Sequence, residues 1–591
     1  MANALALSDD LEIAMAKQLE LTEEQMANYR MSWCRKWLKR ASQLAEQETA
    51  DRLKRPEHVR QNTEAKRLLL TEEILQDISY EDMGVLDILR HGSTLVGDVH
   101  KCSLFKAQYK PCMATVEQLV AGSAKRNQAI VKMAASCGEL ELDQKLLEET
   151  RLELSKGWAE GPFELSQLEQ GSVISRRFPL RQGSKIRMID DYSVSGVNEC
   201  TSTHHKIDLH MVDTFAALMK ELFRRCEHFG SHSEFLAKTY DLKSAYRQVP
   251  IRGERLKFAY FCIYNHELDK SEIYRMKTLP FGATHSVYNF LRLARSLHSI
   301  ACRGLFLLKS NFYDDFILVS KEANQKSAQH GMEMIFLLTG WEFARDGKKA
   351  TDFARICHAL GVEFDLSLAR DRILSIGNTE ARKQELIEHI DRMLVNGCMS
   401  KHESLVLRGR LGFADSFVHG RLGKMFLNRI VEHAYGTEAR IGKPLESALT
   451  WMRHRLLTCK PKRIDSTDLQ QFFVYTDAAF EPETSTGGLG AVLVSEAGIC
   501  IARFGIFLDS NLCEVFGSSR KDTIIYELEL LSAVFALRFW KRFAFGNLTV
   551  HFGDNDAVRF ALIKGSAQGE IGNALIYLQL ELESELGSHL W

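Results

Sequence analysis

Asn311-Phe312-Tyr313-Asp314-Asp315-Phe316-Ile317-Leu318-Val319 sets two adjacent carboxylates between apolar runs, and the reading of this stretch decides the fold. Neighbouring acids repel unless water or a cation neutralises them. An exposed β-turn, where Asp is common, accounts for Tyr313-Asp314-Asp315 taken alone. A divalent-metal site accounts for it better once a third acid is found. Upstream, Tyr240-Asp241-Leu242-Lys243-Ser244-Ala245-Tyr246-Arg247-Gln248 ends an apolar run on Asp241. Transfer of a phosphoryl group to a hydroxyl uses two Mg²⁺ ions about 3.5 to 4 Å apart. Each Mg²⁺ takes only one or two protein carboxylates, so three acids suffice for two ions.

Outward from this centre, 591 residues exceed one hydrophobic core and suggest several modules at about 150 residues each. The hydrophobic 45% and charged 26% are those of a folding globular chain. Lys+Arg at 76 against Asp+Glu at 77 weighs mildly against a phosphate-gripping protein, although a local basic groove suffices for that task. The 13 cysteines form no C-x-x-C pair, which points away from disulfide frameworks and zinc knuckles and toward a reducing compartment. The acidic start MANALALSDDLEIAMAKQLE lacks the basic n-region of a signal peptide, and no apolar run reaches bilayer length. Cytoplasm or nucleus is the expected location, with no membrane partner.

Four regions are expected. Residues 1–150 carry apolar positions at helical spacing, with a helix start at Thr71 and a break at Arg90-His91-Gly92-Ser93, and read as a helical docking or scaffold region. Residues 151–370 alternate strand-like and helix-like runs as a mixed α/β domain. Residues 371–465 return to helical periodicity as a connector. Residues 466–591 open with FFVYTDAAF, a Gly-rich turn and AVLVS, the start of a small α/β domain. His204, His205 and His210 lack supporting Cys or carboxylate spacing and read as structural.

DLKSAYRQVPI, LPFGATHSVYNF, FYDDFILVS and HALGVEF stand in the order and approximate spacing of reverse transcriptase motifs A, B, C and the grip after D. With KGWAEGPF and RFPLRQGSKIRMIDDYSVSGVN upstream, residues from about 150 to 460 resemble a retrotransposon polymerase of the long-terminal-repeat or tyrosine-recombinase kind. The resemblance implies a right-hand fold of fingers, palm and thumb. It makes Asp241, Asp314 and Asp315 the metal triad, with the Leu242 carbonyl a further ligand. Tyr246 would be the gate that excludes a ribose 2′-hydroxyl, the group that distinguishes RNA from DNA building blocks. Lys185 and Arg187 would hold the incoming triphosphate, and Gln248, Phe281 and Gly282 would meet substrate or template. Gly340-Trp341 and Asp346-Gly347-Lys348-Lys349 resemble motif D, whose lysine protonates the leaving group. Lys349 is one candidate, and the choice of lysine stays open.

A second constellation lies downstream. Phe473-Val474-Tyr475-Thr476-Asp477 again ends an apolar strand on an acid, and IIYELELLSAVFALRFW is helical with Glu529 on its apolar side. Glu527 lies roughly 200° round that helix and reads as solvated, with a ligand role kept as the alternate. Asp554, in HFGDNDA, follows a strand, with Asp556 near a helix N-terminus. This pattern resembles ribonuclease H, and implies that Asp477, Glu529 and Asp554 hold metals for RNA hydrolysis. The family's fourth acid would lie past Trp591, so the end reads as truncated.

The expected whole is multidomain α/β and α+β: a polymerase behind an N-terminal helical region, followed by a ribonuclease H-like domain. It would perform RNA-directed DNA synthesis on RNA and DNA template-primers, using deoxynucleotide triphosphates and two Mg²⁺ per site, or Mn²⁺. One rival is an RNA-dependent RNA polymerase, disfavoured by Tyr246 and the nuclease pattern. The other is a decayed or domesticated element that binds nucleic acid without catalysis.

Overall fold

Thr22 opens the helix Glu23–Gln43 with a reciprocal cap: its hydroxyl accepts the Gln25 N–H, and the Gln25 side chain accepts the Thr22 N–H. Met26, Arg30, Cys34 and Trp37 fall on one buried face of that helix, which packs against the helix Gln325–Thr339. The Arg30 guanidinium donates to the carbonyls of Leu305 and Phe306 and to the Ser327 hydroxyl. These bonds satisfy a buried cation with oxygens that would otherwise be stranded.

The computed structural model describes residues 7–182, 185–228, 233–416, 422–466, 470–516, 523–567, 569–586 and 589–590. They fall into two compact units, 1–360 with 366–371, and 361–365 with 372–591.

In the first unit, Leu308–Phe312 and Asp315–Lys321 form a tight antiparallel hairpin, and Asp315–Lys321 pairs on its other edge with Phe235–Asp241. Phe316, Leu318 and Tyr240 from this sheet share a core with Trp37, Leu68 and Leu75 of the N-terminal helices and with Phe290 and Phe336. A five-stranded sheet runs in the order Ala159–Phe163, Lys270–Met276, Tyr260–Asn265, Ile174–Gln182, Lys185–Asp191. The helix Thr284–Ser299 is buried along nearly its whole length. Asp82 clamps it by a bidentate ion pair to Arg292, 2.7 Å in each arm.

The first 150 residues are mainly helical but include the strands Gly97–Asp98 and Lys106–Lys110, which flank Thr201–Lys206 in a three-stranded sheet. The expected helix start at Thr71 is corrected. The helix runs Leu68–Asp77, and the Thr71 hydroxyl donates back to the Arg67 carbonyl from inside it. Ser and Thr make this i−4 bond inside helices as readily as a cap, and the sequence does not separate the two uses.

In the second unit, the helices Glu380–Asn396, Lys401–Ser416, Lys424–Tyr435 and Lys443–Thr458 surround a core that includes Leu386, Ile390, Leu407, Leu411, Ile430 and Leu449. A five-stranded sheet follows in the order Cys500–Leu508, Thr486–Ser495, Gln471–Glu481, Leu548–Phe552, His589–Leu590. The first three strands are an antiparallel meander and the last two run parallel to Gln471–Glu481 and Leu548–Phe552 respectively. The helix Ile525–Phe539 crosses one face of this sheet and packs on the helix Glu570–Leu586. Among the described residues no helix is long and apolar enough to cross a membrane.

Candidate active sites

Asp241 ends its strand and Asp315 begins the neighbouring one, and the two are direct partners in antiparallel register. Side chains opposite each other on a sheet have Cβ atoms about 4.5–5.5 Å apart, so the acids face each other. Asp314 sits in the hairpin turn between Leu308–Phe312 and Asp315–Lys321, its carbonyl accepting the Leu242 N–H at 3.5 Å. Tyr313 makes the turn possible at φ +50°, a left-handed conformation that costs a non-glycine residue roughly 1 kcal/mol. Sequence thus brings the three expected acids to one end of one sheet.

Electrostatics agree with the geometry. Burial pushes the Asp315 carboxyl up to about 6, aided by Asp314 and Asp241 and opposed by Lys349. Burial likewise raises Asp314, with Asp241 adding to the rise and Lys349 and Arg187 opposing it. Lys349 Nζ donates to Asp241 Oδ2 at 2.5 Å, so this lysine reaches the acids. The Lys348 and Lys185 side chains lie outside the described residues. Arg187, exposed on its strand, is close enough to Asp314 to lower its proton affinity.

Tyr246 lies in the turn Ala245–Gln248 with its ring between Phe281 and Phe290, at centroid distances of 4.8 and 4.7 Å. Phe281 is half-exposed above it. Gly282, at φ +88°, brings its Cα so near Asp190 that an added Cβ would stand 2.2 Å from the Asp190 carbonyl oxygen. Asn198 fixes the same bend by donating to the Gly282 carbonyl at 2.9 Å and accepting from the Thr284 N–H at 2.9 Å.

Gln248 is placed otherwise than expected of a substrate contact. Its amide accepts from Lys66 Nζ and the Glu342 N–H and donates to the carbonyls of Lys243 and Glu342. With both ends committed, it braces the strand end that carries Asp241. Lys66 also donates to the Gly340 carbonyl and lies 3.5 Å from the Trp341 ring centroid. Burial holds its ammonium well below the ordinary lysine range. An 820 Å³ cleft opens beside Asp241, lined on one side by Lys243, Arg247 and Lys349 and on another by Asn62 and Lys66. The N-terminal helices therefore supply part of its wall.

Sequence reasoning missed a buried four-charge node. Arg177 Nε donates to Asp190 at 2.6 Å and its Nη1 to Glu153 at 2.5 Å, while Arg247 Nη2 reaches Glu153 at 2.6 Å and its Nη1 the Leu279 carbonyl at 2.7 Å. Burial pushes Glu153 up, and the two guanidiniums overcome it so that its carboxyl lies below the usual range. The node joins the strand of Arg187 to the turn of Tyr246. No spacing rule announces it, because buried and solvated charges look alike in sequence.

The expected histidine roles take concrete form. His205 Nε2 accepts the Cys102 N–H, and His210 Nδ1 accepts the Asn311 N–H.

In the second unit, Asp477 lies on Gln471–Glu481 and Asp554 follows Leu548–Phe552, the parallel strand beside it. Glu529 projects from the helix Ile525–Phe539. Burial raises its carboxyl, Asn555 opposes this by donating to it at 3.2 Å, and Asp554 and Asp477 add to the rise. The three acids therefore share one field. Asn555, unexpected from sequence, also caps the helix Asp556–Lys564 by accepting the Ala557 and Val558 N–H groups. Asp556 is exposed and pairs with Arg559 at 2.8 Å. Glu527, expected to be solvated, is buried. Its helix has the sheet on one side and Glu570–Leu586 on another, so both flanks are covered.

Among the described residues no three His, Cys, Asp or Glu side chains converge tightly enough to cage an ion unaided. The donor chemistry still suits Mg²⁺, which takes hard oxygens and completes its shell from phosphates and water. An open cluster of carboxylates meets that description in both units, with Asp241 adding to the rise of Asp314 and Asp315 in the first and Asp477 and Asp554 adding to that of Glu529 in the second.

No protein-family model and no curated protein matches the sequence. Solved structures of a foamy viral protease-reverse transcriptase bear a distant likeness. A form described as dRH, in complex with double-stranded DNA, is 14% identical over 75% of this chain and 68% of that one, with a TM-score of 0.41. The protein bound to double-stranded DNA is 12% identical over 90% and 94%, with a TM-score of 0.40. Bound to an RNA/DNA hybrid it is 11% identical over 83% and 85%, with a TM-score of 0.39.

Proposed function

We propose that this chain is an RNA-directed DNA polymerase of a retroelement, with a ribonuclease H-like activity in its second unit. The observation that carries the reading is the register of Asp241 against Asp315 with Asp314 in the turn between strands. Three acids held against their own repulsion at one end of a sheet are costly unless cations neutralise them. Asp241, Asp314 and Asp315 would hold Mg²⁺, which when bound activates the attacking hydroxyl and neutralises charge on the transferring phosphate. Arg187 would take triphosphate oxygens in its planar fork. Lys349 would give its proton to departing pyrophosphate. Tyr246, backed by Phe290 and topped by Phe281, would exclude a 2′-hydroxyl, and DNA would be the product.

Asp477, Glu529 and Asp554 support hydrolysis of RNA paired to DNA as the companion reaction, with Asn555 orienting Glu529. Primer extension on an RNA template, comparing the parent with Asp314→Asn and deoxynucleotides with ribonucleotides, tests the polymerase reading.

A further inference from the structure

The strand Lys106–Lys110 pairs antiparallel with Thr201–Lys206, and the register sets Lys106 directly opposite Lys206. Like charges opposite each other across a ladder destabilise it. Among the described residues no carboxylate lies within ion-pair distance of Lys106, Lys110 or Lys206 to offset that repulsion. All three lysines are exposed. His204 lies two residues before Lys206 and so shares its face. Tyr109, 64% exposed, stacks on the His204 ring at 5.2 Å and 28°. This ribbon therefore presents unpaired ammonium groups and an open aromatic face together.

Its position is fixed. The Tyr288 hydroxyl donates to the His205 carbonyl at 2.8 Å, anchoring the ribbon to the helix Thr284–Ser299. The strand starts just past Asn198, which holds the Gly282 bend beside Tyr246 and Phe281. It borders a 530 Å³ hollow lined by Lys101, His204 and Arg252 together with Asp87 and Asp98.

We infer that this ribbon is a docking surface for single-stranded nucleic acid. Ammonium groups placed along a strand neutralise backbone phosphates, and an exposed aromatic ring stacks a base of any identity. The charge complementarity favours a polyanion, and the Tyr109–His204 stack favours one with unpaired bases. Neither contact selects between RNA and DNA. Within the proposed function, the strand so held is the template beyond the growing primer end, and the inference rests on that reading for this role alone.

Anisotropy titration of labelled single-stranded RNA and DNA oligonucleotides with the full chain tests the ribbon directly. The double change Lys106→Ala with Lys206→Ala should weaken single-strand binding about tenfold and flatten its salt dependence. Tyr109→Ala should weaken single strands about fivefold and leave duplex binding unchanged. Lys326→Ala, an exposed lysine on the helix Gln325–Thr339, is the control. Single-strand affinities equal to this control would overturn the inference. So would a Tyr109→Ala loss that is equal for single strand and duplex, which would mark a general polyanion surface. Primer extension on a template with minimal overhang, run in parallel, reads the catalytic centre alone. A parent that binds through the ribbon but extends nothing would overturn the polymerase reading and leave the ribbon standing.

Discussion

Lys349 donates to Asp241 at 2.5 Å, joining the segment after Trp341 to the last residue of the strand Phe235–Asp241. The ammonium is largely exposed, so the pair adds little stability, and under the proposed function its value would be chemical. A lysine acting as general acid contributes about 10²–10⁴ in rate. Lys349→Met should accordingly lower kcat about 100-fold with little change in KM for the deoxynucleotide, measured by single-nucleotide incorporation. Unchanged kcat would remove Lys349 from the reaction.

Lys309 gives a stability test away from the acids. It is fully buried in Leu308–Phe312 with its ammonium 3.9 Å from the Phe316 ring centroid, and burial lowers its pKa to about 7. The folded value lies below the unfolded one near 10.5, so the unfolded chain binds more protons between those two pH values. Stability should therefore rise from pH 7 to 10.5 and be lost as pH falls through 7. Lys309→Met should flatten that slope, with a gain at neutral pH on the order of 1.4 kcal/mol per pH unit of depression. Denaturant melts of both proteins across this range check it; parallel curves would contradict the assignment.

Tyr246→Ala should raise ribonucleotide incorporation relative to deoxynucleotide at least tenfold, because the ring proposed to meet the 2′-hydroxyl is gone. The ring is buried between Phe281 and Phe290, so the change also costs about 3–5 kcal/mol of stability, and assays belong at low temperature. Tyr246→Phe keeps the ring and should keep the discrimination. An active alanine variant with parental preference would refute the gate.

Glu529→Gln should abolish cleavage of RNA in an RNA–DNA hybrid and leave primer extension intact, whereas Asp556→Asn should change neither. Asn555→Ala should lose both a helix cap, about 1 kcal/mol, and much of the cleavage, since one side chain performs both tasks. Cleavage assays on a labelled hybrid would expose an error if Asp556, not Glu529, proved essential.

Asp241 was legible because it terminates an apolar strand, and Asp314 and Asp315 because two adjacent acids interrupt an apolar hairpin, patterns that cost free energy without a cation. Arg187 and Tyr246 were legible only through resemblance to reverse transcriptases, and the structure sets Arg187 within electrostatic reach of Asp314. The Arg177, Glu153, Asp190 and Arg247 node was not legible, since its charges meet through the fold alone. Glu527 misled for a related reason: an angle on a helix predicts exposure only where one flank is open, and here two are covered. The bracing bonds of Gln248 to Lys66, Lys243 and Glu342 were not legible, because a polar residue beside Asp241 reads the same in sequence whether it braces or binds. The strand Lys106–Lys110 hid in helical surroundings because its partner, Thr201–Lys206, lies far away in sequence.

Extension of a primer on an RNA template by the purified chain with Mg²⁺ is the decisive test of whether Asp241, Asp314 and Asp315 form a polymerase centre. A reverse-transcribing centre should give DNA product with deoxynucleotides, little product with ribonucleotides, and none from Asp314→Asn in either mix. Ribonucleotide product from the parent, or equal deoxynucleotide product from Asp314→Asn, would contradict it.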